Sequence, residues 1–432
     1  MPTDFVGPIS TFDGIFNQTV AFYMIRYDKQ GQLLSPQSLD HLMAHVVKEK
    51  ITDVLFYSHG WNNDFPTAKA RYEAFLTGIS DTAKAYPHVL RPEVKPVFVG
   101  VIWPSTILVW PKDQAPDILA TSETEDFGEM LALLSPETRA EVALALKDGK
   151  AVDDSLARRV AEDLAMTLPN SEDEVDSTPY SAQDLLEAWT AVKNSEAGTA
   201  PPAGGFSDFG APAPDGDLAM AGIFRFDPRM ILRAATVLKM KDRAGVVGKN
   251  GVADTLKRLL QETDARLHLF GHSYGAKVVT AGLLHAGAAR KAQSVTLFQP
   301  AMNHQAFSPD VNGQPGACRP VLSRVERPVM ATFSNKDFPL YRIFHLVCRR
   351  AKDLTEIVAA GAVSRYAALG GYGPQTLAPG ESAIIALPDV GAAFAPQPGA
   401  VRLLGLNGAN GIDGHGCVNN ARTWWAALNQ LR

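Results

Sequence analysis

Short, nearly continuous apolar runs recur along the chain, with polar-faced segments between them. Runs rich in Val, Leu, Ile and Phe that lack strict polar alternation are typical of parallel strands buried on both faces. The pattern predicts strands at Val20–Tyr27, Val54–Tyr57, Val97–Trp103, Leu267–Phe270, Val295–Phe298, Val329–Phe333, Ile384–Leu387 and Val401–Leu406.

The segments between these runs have helical periodicity. Regular alternation of strand and helix predicts the α/β class, with a doubly wound and mostly parallel sheet covered on both faces. No internal repeat interrupts this order. The predicted helices are Gln37–Lys50, Ala68–Ala85, Gly251–Thr263, Gly275–His285 and Asn419–Leu431.

Residues Gly271-His272-Ser273-Tyr274-Gly275 read G-x-S-x-G, directly between a predicted strand and a predicted helix. A serine on such a turn is exposed at the end of a sheet, while Gly271 and Gly275 let the two backbones approach closely. We therefore predict that Ser273 is a nucleophile for acyl transfer from an ester, thioester or amide. The alternative is an ordinary glycine-containing loop.

A serine hydroxyl becomes a nucleophile when a histidine accepts its proton and a carboxylate orients that histidine. Two histidines, His345 and His415, follow Ser273 by enough to come after a later acid. His345 lies in an apolar stretch, where a packed histidine is the ordinary expectation. His415 lies in the glycine-rich loop 407–416, after a predicted strand, and such loops commonly carry function. We predict His415 as the base.

Several carboxylates could orient this histidine. Asp337 follows the β-rich run Val329–Phe333, at the carboxyl end of a strand where catalytic groups of open α/β sheets gather. We predict Asp337, with Asp310 as the reserve, and expect Asp413 to shape the turn beside His415. The further candidates are Asp353, Glu356, Glu381 and Asp389.

A tetrahedral intermediate also needs preplaced N–H donors for its oxyanion. One predicted donor is the backbone N–H of Tyr274, which follows the nucleophile. The other is the N–H of Trp61, because the early strand 51–57 runs into a loop in which His59-Gly60 permits a tight backbone. The alternative is that this pair forms an ordinary turn.

Three motifs together make a resemblance specific. The chain resembles a bacterial α/β-hydrolase group of esterase/lipase-superfamily proteins of uncertain substrate. The motifs that carry the resemblance are His59-Gly60-Trp61-Asn62-Asn63, Trp103-Pro104-Ser105 and the G-x-S-x-G segment. Its members typically read H-G-Y/W-N-N, W-P-S and G-H-S-x-G. The resemblance covers approximately residues 15–110 and 230–430. It implies an α/β-hydrolase fold with Ser273, Asp337 and His415 as nucleophile, acid and base. The family's last histidine usually precedes aromatic residues, whereas Gly416-Cys417 follow here.

The segment between the two resembling regions differs in composition. Residues 112–217 hold 23 acidic and 7 basic residues, a formal charge of −16, whereas the whole chain carries −5. We predict a core of residues 1–110 and 226–432 and a mainly helical cap at 111–225, with a Pro/Gly/Ala-rich linker at 198–216. Its charge favours neutral esters. The alternative is a solvated acidic face without a catalytic role.

Apolar residues of this predicted cap have two interpretations. They could line an acyl pocket, or they could form the core of the cap itself, and we favour the core. The residues concerned are Ile118, Leu119, Phe127, Met130, Leu131, Leu133 and Leu134.

Composition restricts the compartment and the partners. The sequence has three cysteines, no apolar run long enough to span a membrane and no signal-like amino terminus. These features predict a cytoplasmic protein, with signal-independent secretion as an alternative. No pattern for nucleic acid or phosphate binding occurs. We expect a small ester or lipid substrate, with no metal, cofactor, nucleic acid or integral membrane segment. The sequence does not predict the oligomeric state.

These observations favour a serine carboxylester hydrolase, an esterase or lipase-like enzyme. An acyltransferase could use the same residues if an alcohol or thiol replaced water. A third possibility is a binding protein that has kept the fold with an inactive site.

Overall fold

A computed structural model describes most of the chain. The described residues are 6–105, 128–168, 175–176, 178–196, 226–350, 363–375, 377–394, 396 and 399–432, without the side chains of 14–15 and 194–196.

The described residues form one nine-stranded sheet in the order β1-β2-β4-β3-β5-β6-β7-β9-β8. Strand β1 pairs antiparallel with β2, and every other neighbouring pair is parallel. The strands are β1 Ser10–Ile15, β2 Gln18–Arg26, β3 Asp53–Ser58, β4 Pro96–Ile102, β5 Arg266–His272, β6 Ser294–Phe298, β7 Val329–Phe333, β8 Ser382–Ala386 and β9 Leu403–Asn407.

Helices cover both faces of this sheet. Alternate residues of a strand point to opposite faces, and in β3 Val54 and Phe56 belong to one apolar cluster while Leu55 and Tyr57 belong to another. The helices are α1 Pro36–Lys48, α2 Phe65–Ala85, α3 Gly128–Leu131, α4 Pro136–Asp148, α5 Asp154–Thr167, α6 Ala182–Glu196, α7 Pro228–Val247, α8 Ala253–Glu262, α9 Tyr274–His285, α10 Phe344–Cys348, α11 Leu369–Tyr372 and α12 Ala421–Leu428.

Shorter helical turns complete these elements. They are 3₁₀ turns at Pro87–Val89, Arg319–Ser323 and Asn429–Leu431, and π-helical turns at Gly248–Val252 and Pro339–Ile343. Helices α1, α7, α8 and α9 contribute to the first cluster, and α2 and α12 to the second. None of the helices in the described part of the chain is long and apolar enough to cross a bilayer.

The α/β class and the mostly parallel sheet are confirmed, and each predicted strand is present within a few residues. Strand β1 was not predicted, because Ser10–Ile15 lacks a continuous apolar run. It pairs through a two-residue hairpin in which Phe16 and Asn17 both have positive φ, 49° and 59°. The twist of such a turn matches that of paired strands. At the outer edge of the sheet, Ile384 and Ile385 of β8 are exposed.

Helix α7 was also not predicted. Four of its six charged residues, Arg233, Lys241, Asp242 and Arg243, are buried along with apolar ones, so the polar residues do not mark one solvent face. Periodicity cannot identify a helix that is covered all round.

Two of the described helices of the predicted cap pack onto this buried helix. Helix α6 contacts both α7 and α10, and α4 contacts α7. Met130, Leu131 and Leu134 are buried in the same apolar cluster as residues of the sheet. The predicted cap residues Ile118, Leu119 and Phe127, and the predicted linker at 198–216, lie outside the described residues.

Candidate active site

Ser273 lies on the sharp turn between β5 and α9. Its φ of 55° and ψ of −124° are strained for a residue with a side chain. Backbone hydrogen bonds to the segment after β6 hold it in this conformation. Ser273 N donates to Phe298 O at 3.0 Å, and Ala301 N donates to Ser273 O at 3.2 Å. A Cβ on Gly275 would lie 2.1 Å from Ser58 O. The glycine is therefore required by the contact between α9 and the end of β3.

His415 links this serine to a buried carboxylate. His415 Nε2 lies 2.8 Å from Ser273 Oγ, and His415 Nδ1 lies 2.8 Å from Asp337 Oδ2. Asp337 accepts hydrogen bonds, so the network assigns the proton of the imidazole to Nδ1. Nε2 is then left to accept the serine proton. The three residues come from loops after β5, β7 and β9, which meet at the carboxyl edge of the sheet.

Gln299 supports the carboxylate, and sequence reasoning did not identify it. Gln299 Nε2 donates to Asp337 Oδ2 at 2.8 Å, and Thr332 Oγ1 donates to Gln299 Oε1 at 3.0 Å. Leu340 N donates to the second oxygen, Asp337 Oδ1, at 3.1 Å. Gln299 directly follows β6, as Asp337 follows β7 by a few residues. Its position as a polar residue immediately after a buried strand was the feature of the sequence that could have identified it.

His272, predicted as part of the supporting loop, holds the loop of the base. Its Nε2 donates to the backbone oxygen of His415 at 2.9 Å. Burial lowers the pKa of His272 well below its ordinary value, and the nearby His415 and Arg71 lower this pKa further. A neutral imidazole with its proton on Nε2 makes this contact, so His272 positions His415 through its main chain.

The His59–Asn63 loop touches the nucleophile directly. A Cβ on Gly60 would lie 2.6 Å from Ser273 Cβ. His59 Nδ1 donates to Gly60 O at 2.8 Å, and His59 N donates to Tyr72 Oη at 2.8 Å. Burial lowers the pKa of His59 to about 4. The loop therefore lies against Ser273 with an uncharged histidine inside it.

Asn63 controls the direction of the peptide groups in this loop. Its Nδ2 donates to Gly60 O at 3.1 Å and to Trp61 O at 2.6 Å. In a trans peptide the C=O and the N–H of the same unit point in opposite directions. The Trp61 N–H, which shares a peptide unit with Gly60 O, therefore points away from the Asn63 side chain.

The Trp103-Pro104-Ser105 motif braces the same loop. Trp103 Nε1 donates to His59 O at 3.1 Å, and the two rings stack with centroids 5.6 Å apart. Ser105 Oγ donates to Asn63 O at 3.0 Å and accepts from Asn63 N at 3.2 Å. The structure thus joins two motifs that are separate in the sequence.

A cleft that is partly open to solvent gives access to Ser273 and His415. The predicted oxyanion donors Trp61 and Tyr274 both lie along it. In the described chain, no residue of 128–196 lines the cleft. The remaining lining residues are Arg71, Val237, His272, Ala301, Pro339, Leu340, Ile343, Phe344 and Gly416.

The alternatives Asp310, Asp413 and His345 lie elsewhere, and the candidates Asp353 and Glu356 lie outside the described residues. Asp310 is exposed and accepts from Gly313 N at 2.6 Å, which closes a surface turn. Asp413 pairs with Lys336 at 2.7 Å. His345 lies on α10, where burial lowers its pKa to about 4. Hydrogen bonds join Ser273 to His415 and His415 to Asp337. Asp310, Asp413 and His345 make neither of these hydrogen bonds.

Comparisons with known proteins found no matching family model, no matching curated protein and no matching solved structure. The interpretation of this site therefore depends on its own geometry. Within the described ranges, no group of three or more His, Cys, Asp or Glu residues is arranged to hold a metal ion.

Proposed function

We propose that the protein is a serine hydrolase of the α/β-hydrolase fold that cleaves carboxylic esters through an acyl-enzyme. The observation that carries the proposal is the hydrogen-bond chain from Ser273 Oγ through His415 to Asp337, with both contacts at 2.8 Å. The parallel sheet with its strained turn after β5 supports the choice of fold.

In the proposed reaction, Ser273 Oγ attacks the ester carbonyl carbon while His415 Nε2 takes the hydroxyl proton. The imidazolium that forms keeps its Nδ1 proton on the hydrogen bond to Asp337, which stabilises the positive charge. His415 then gives the Nε2 proton to the leaving alcohol oxygen. Water, activated by the same nitrogen, cleaves the acyl-enzyme and releases the acid.

The negative oxygen of each tetrahedral intermediate needs fixed donors. We assign the backbone N–H groups of Tyr274 and Trp61 to this role. Tyr274 is the first residue of α9, where the helix dipole favours negative charge. The carbonyls on either side of the Trp61 N–H are held by Asn63, which supports a preset orientation for that donor.

The cysteines support the proposed reducing compartment, such as the cytoplasm. Cys318 and Cys348 are buried, Cys417 is exposed, and no disulfide joins any two of them. Cysteines outside disulfides are typical of reducing compartments.

Labelling with a fluorophosphonate probe, together with hydrolysis of 4-nitrophenyl esters, tests the proposal. Ser273→Ala removes the only proposed covalent attachment point, so we expect loss of labelling and a fall in turnover of several orders of magnitude. His415→Ala should behave similarly, whereas His345→Ala is the matched control and should keep both. Labelling of Ser273→Ala at the parental rate would refute the assignment.

A further inference from the structure

Arg71 places a positive charge at the mouth of the cleft. It lies on α2, is exposed, and lines the cleft together with Ser273 and His415. Asn419 Nδ2 donates to its backbone oxygen at 3.3 Å, a contact that leaves the guanidinium available. The neighbouring Lys69, by contrast, pairs with Glu73 on the same helix.

No carboxylate in the described part of the chain neutralises this guanidinium. Among those residues, no Asp or Glu oxygen lies within the 4.0 Å of an ion pair with Arg71. Asp337 is fully buried and bonded to His415 and Gln299, and Asp64 accepts from Thr67 N at the start of α2. Both of these carboxylates thus have other partners.

The charge of Arg71 acts on the interior of the site. Burial is the main cause of the lowered pKa of His59, and the positive charge of Arg71 lowers this pKa further. The same two causes act on His272, next to the nucleophile. Arg71 therefore lies near enough to both rings for its positive charge to disfavour their protonated forms.

The rest of the cleft wall is largely apolar. Apolar side chains from α7, the π-helical turn Pro339–Ile343 and α10 line it, namely Val237, Leu340, Ile343 and Phe344. Among the described residues, a ligand that fills this cleft therefore meets carbon on most sides and the cation of Arg71 at the rim. An apolar molecule carrying one anionic group complements both features.

We propose that the cleft takes esters that carry a carboxylate, and that Arg71 binds this carboxylate while Ser273 attacks the ester carbonyl. The inference rests on the proposed hydrolase function and names its substrate class. It departs from the neutral esters that the acidic charge of residues 112–217 favours. That charge is spread over a long segment, whereas Arg71 lies within contact range of a bound ligand, and exposed charges more than about 8 Å apart are largely screened in physiological salt.

Two matched substrate pairs test the inference and locate the carboxylate. 4-Nitrophenyl butyrate and 4-nitrophenyl hemiglutarate differ on the acyl side, whereas phenyl acetate and 4-carboxyphenyl acetate differ on the alcohol side. We expect kcat/KM to favour the anionic member of one pair by roughly 10-fold to 100-fold, the effect of one charge-assisted hydrogen bond. Arg71→Gln should remove most of this preference and Arg71→Lys should retain part of it.

Lys69→Gln is the matched control. It removes the same charge from α2, two residues away and outside the cleft lining, so the preference should persist. Equal or lower kcat/KM for the anionic member of both pairs would overturn the inference, as would an unchanged preference in Arg71→Gln. An equal loss in Lys69→Gln would show a general field effect in place of a contact and would also overturn it.

Binding separates this inference from the hydrolase proposal. Calorimetry on Ser273→Ala, which cannot form the acyl-enzyme, compares dissociation constants for the same ester pairs with those of Ser273→Ala/Arg71→Gln. We expect tighter binding of one anionic ester, by roughly 10-fold or more, that disappears in the double variant. If the parent cleaves no ester and is not labelled, the hydrolase proposal fails, and the binding comparison still decides the role of Arg71.

Discussion

Replacing Gly60 by alanine tests whether the His59–Asn63 loop must lie directly against the nucleophile. The added Cβ would lie 2.6 Å from Ser273 Cβ and 3.0 Å from His272 O. Carbon atoms in contact normally stay about 3.5 to 4.0 Å apart, so loop and nucleophile must separate by about 1 Å. A displacement of about 1 Å in an active site costs about 100-fold in rate. Overpacking of this kind costs about 1 to 3 kcal/mol of stability.

The assay is kcat/KM for 4-nitrophenyl acetate, with chemical unfolding measured in parallel. Gly416→Ala is the matched control, because the same methyl group is added at the same cleft with no described atom within 4 Å of it other than those of Gly416 and its two chain neighbours. We expect Gly60→Ala to lose about 100-fold and Gly416→Ala less than about threefold. If Gly60→Ala stays within threefold of the parent, or if both variants lose equally, the loop does not position the reaction as described.

Two further predictions concern the loop and the buried histidines. Asn63→Ala should lower kcat by about 10-fold to 100-fold with KM little changed, because the Trp61 N–H would lose its fixed direction; a rise in KM at constant kcat would contradict this. The free energy of unfolding, followed by urea titration at several pH values, should fall as pH drops from 6.5 towards 4. Burial lowers the pKa values of His59 and His304 from 6.5 to about 4 in the folded state, so the unfolded chain binds more protons across that window. Each of these histidines contributes up to about 1.4 kcal/mol per pH unit to the slope of the free energy of unfolding against pH. His304→Gln should remove one such contribution, and an unchanged slope in this variant would contradict the prediction.

Most strands and helices of this protein follow from the local sequence pattern. Buried strands such as β3 and β7 appear as apolar runs, because both faces of a central strand exclude water. The turn at Ser273 is equally local, since Gly271 and Gly275 stand where any Cβ would meet backbone atoms within 2.6 Å or less. Strand β1 and helix α7 escaped prediction because neither shows the polarity pattern of a half-buried element.

Tertiary structure decided which distant residues meet. Periodicity carries no information on strand order, so the sequence could rank His415 above His345 but could not measure either distance to Ser273. Folding brings the ends of β5, β7 and β9 to one edge, where His415 reaches both Ser273 and Asp337. Gln299, Asn63 and Arg71 gained their places in the same way. Each acts through partners or a cleft assembled from segments far apart in the chain, and only packing of the whole sheet creates those contacts.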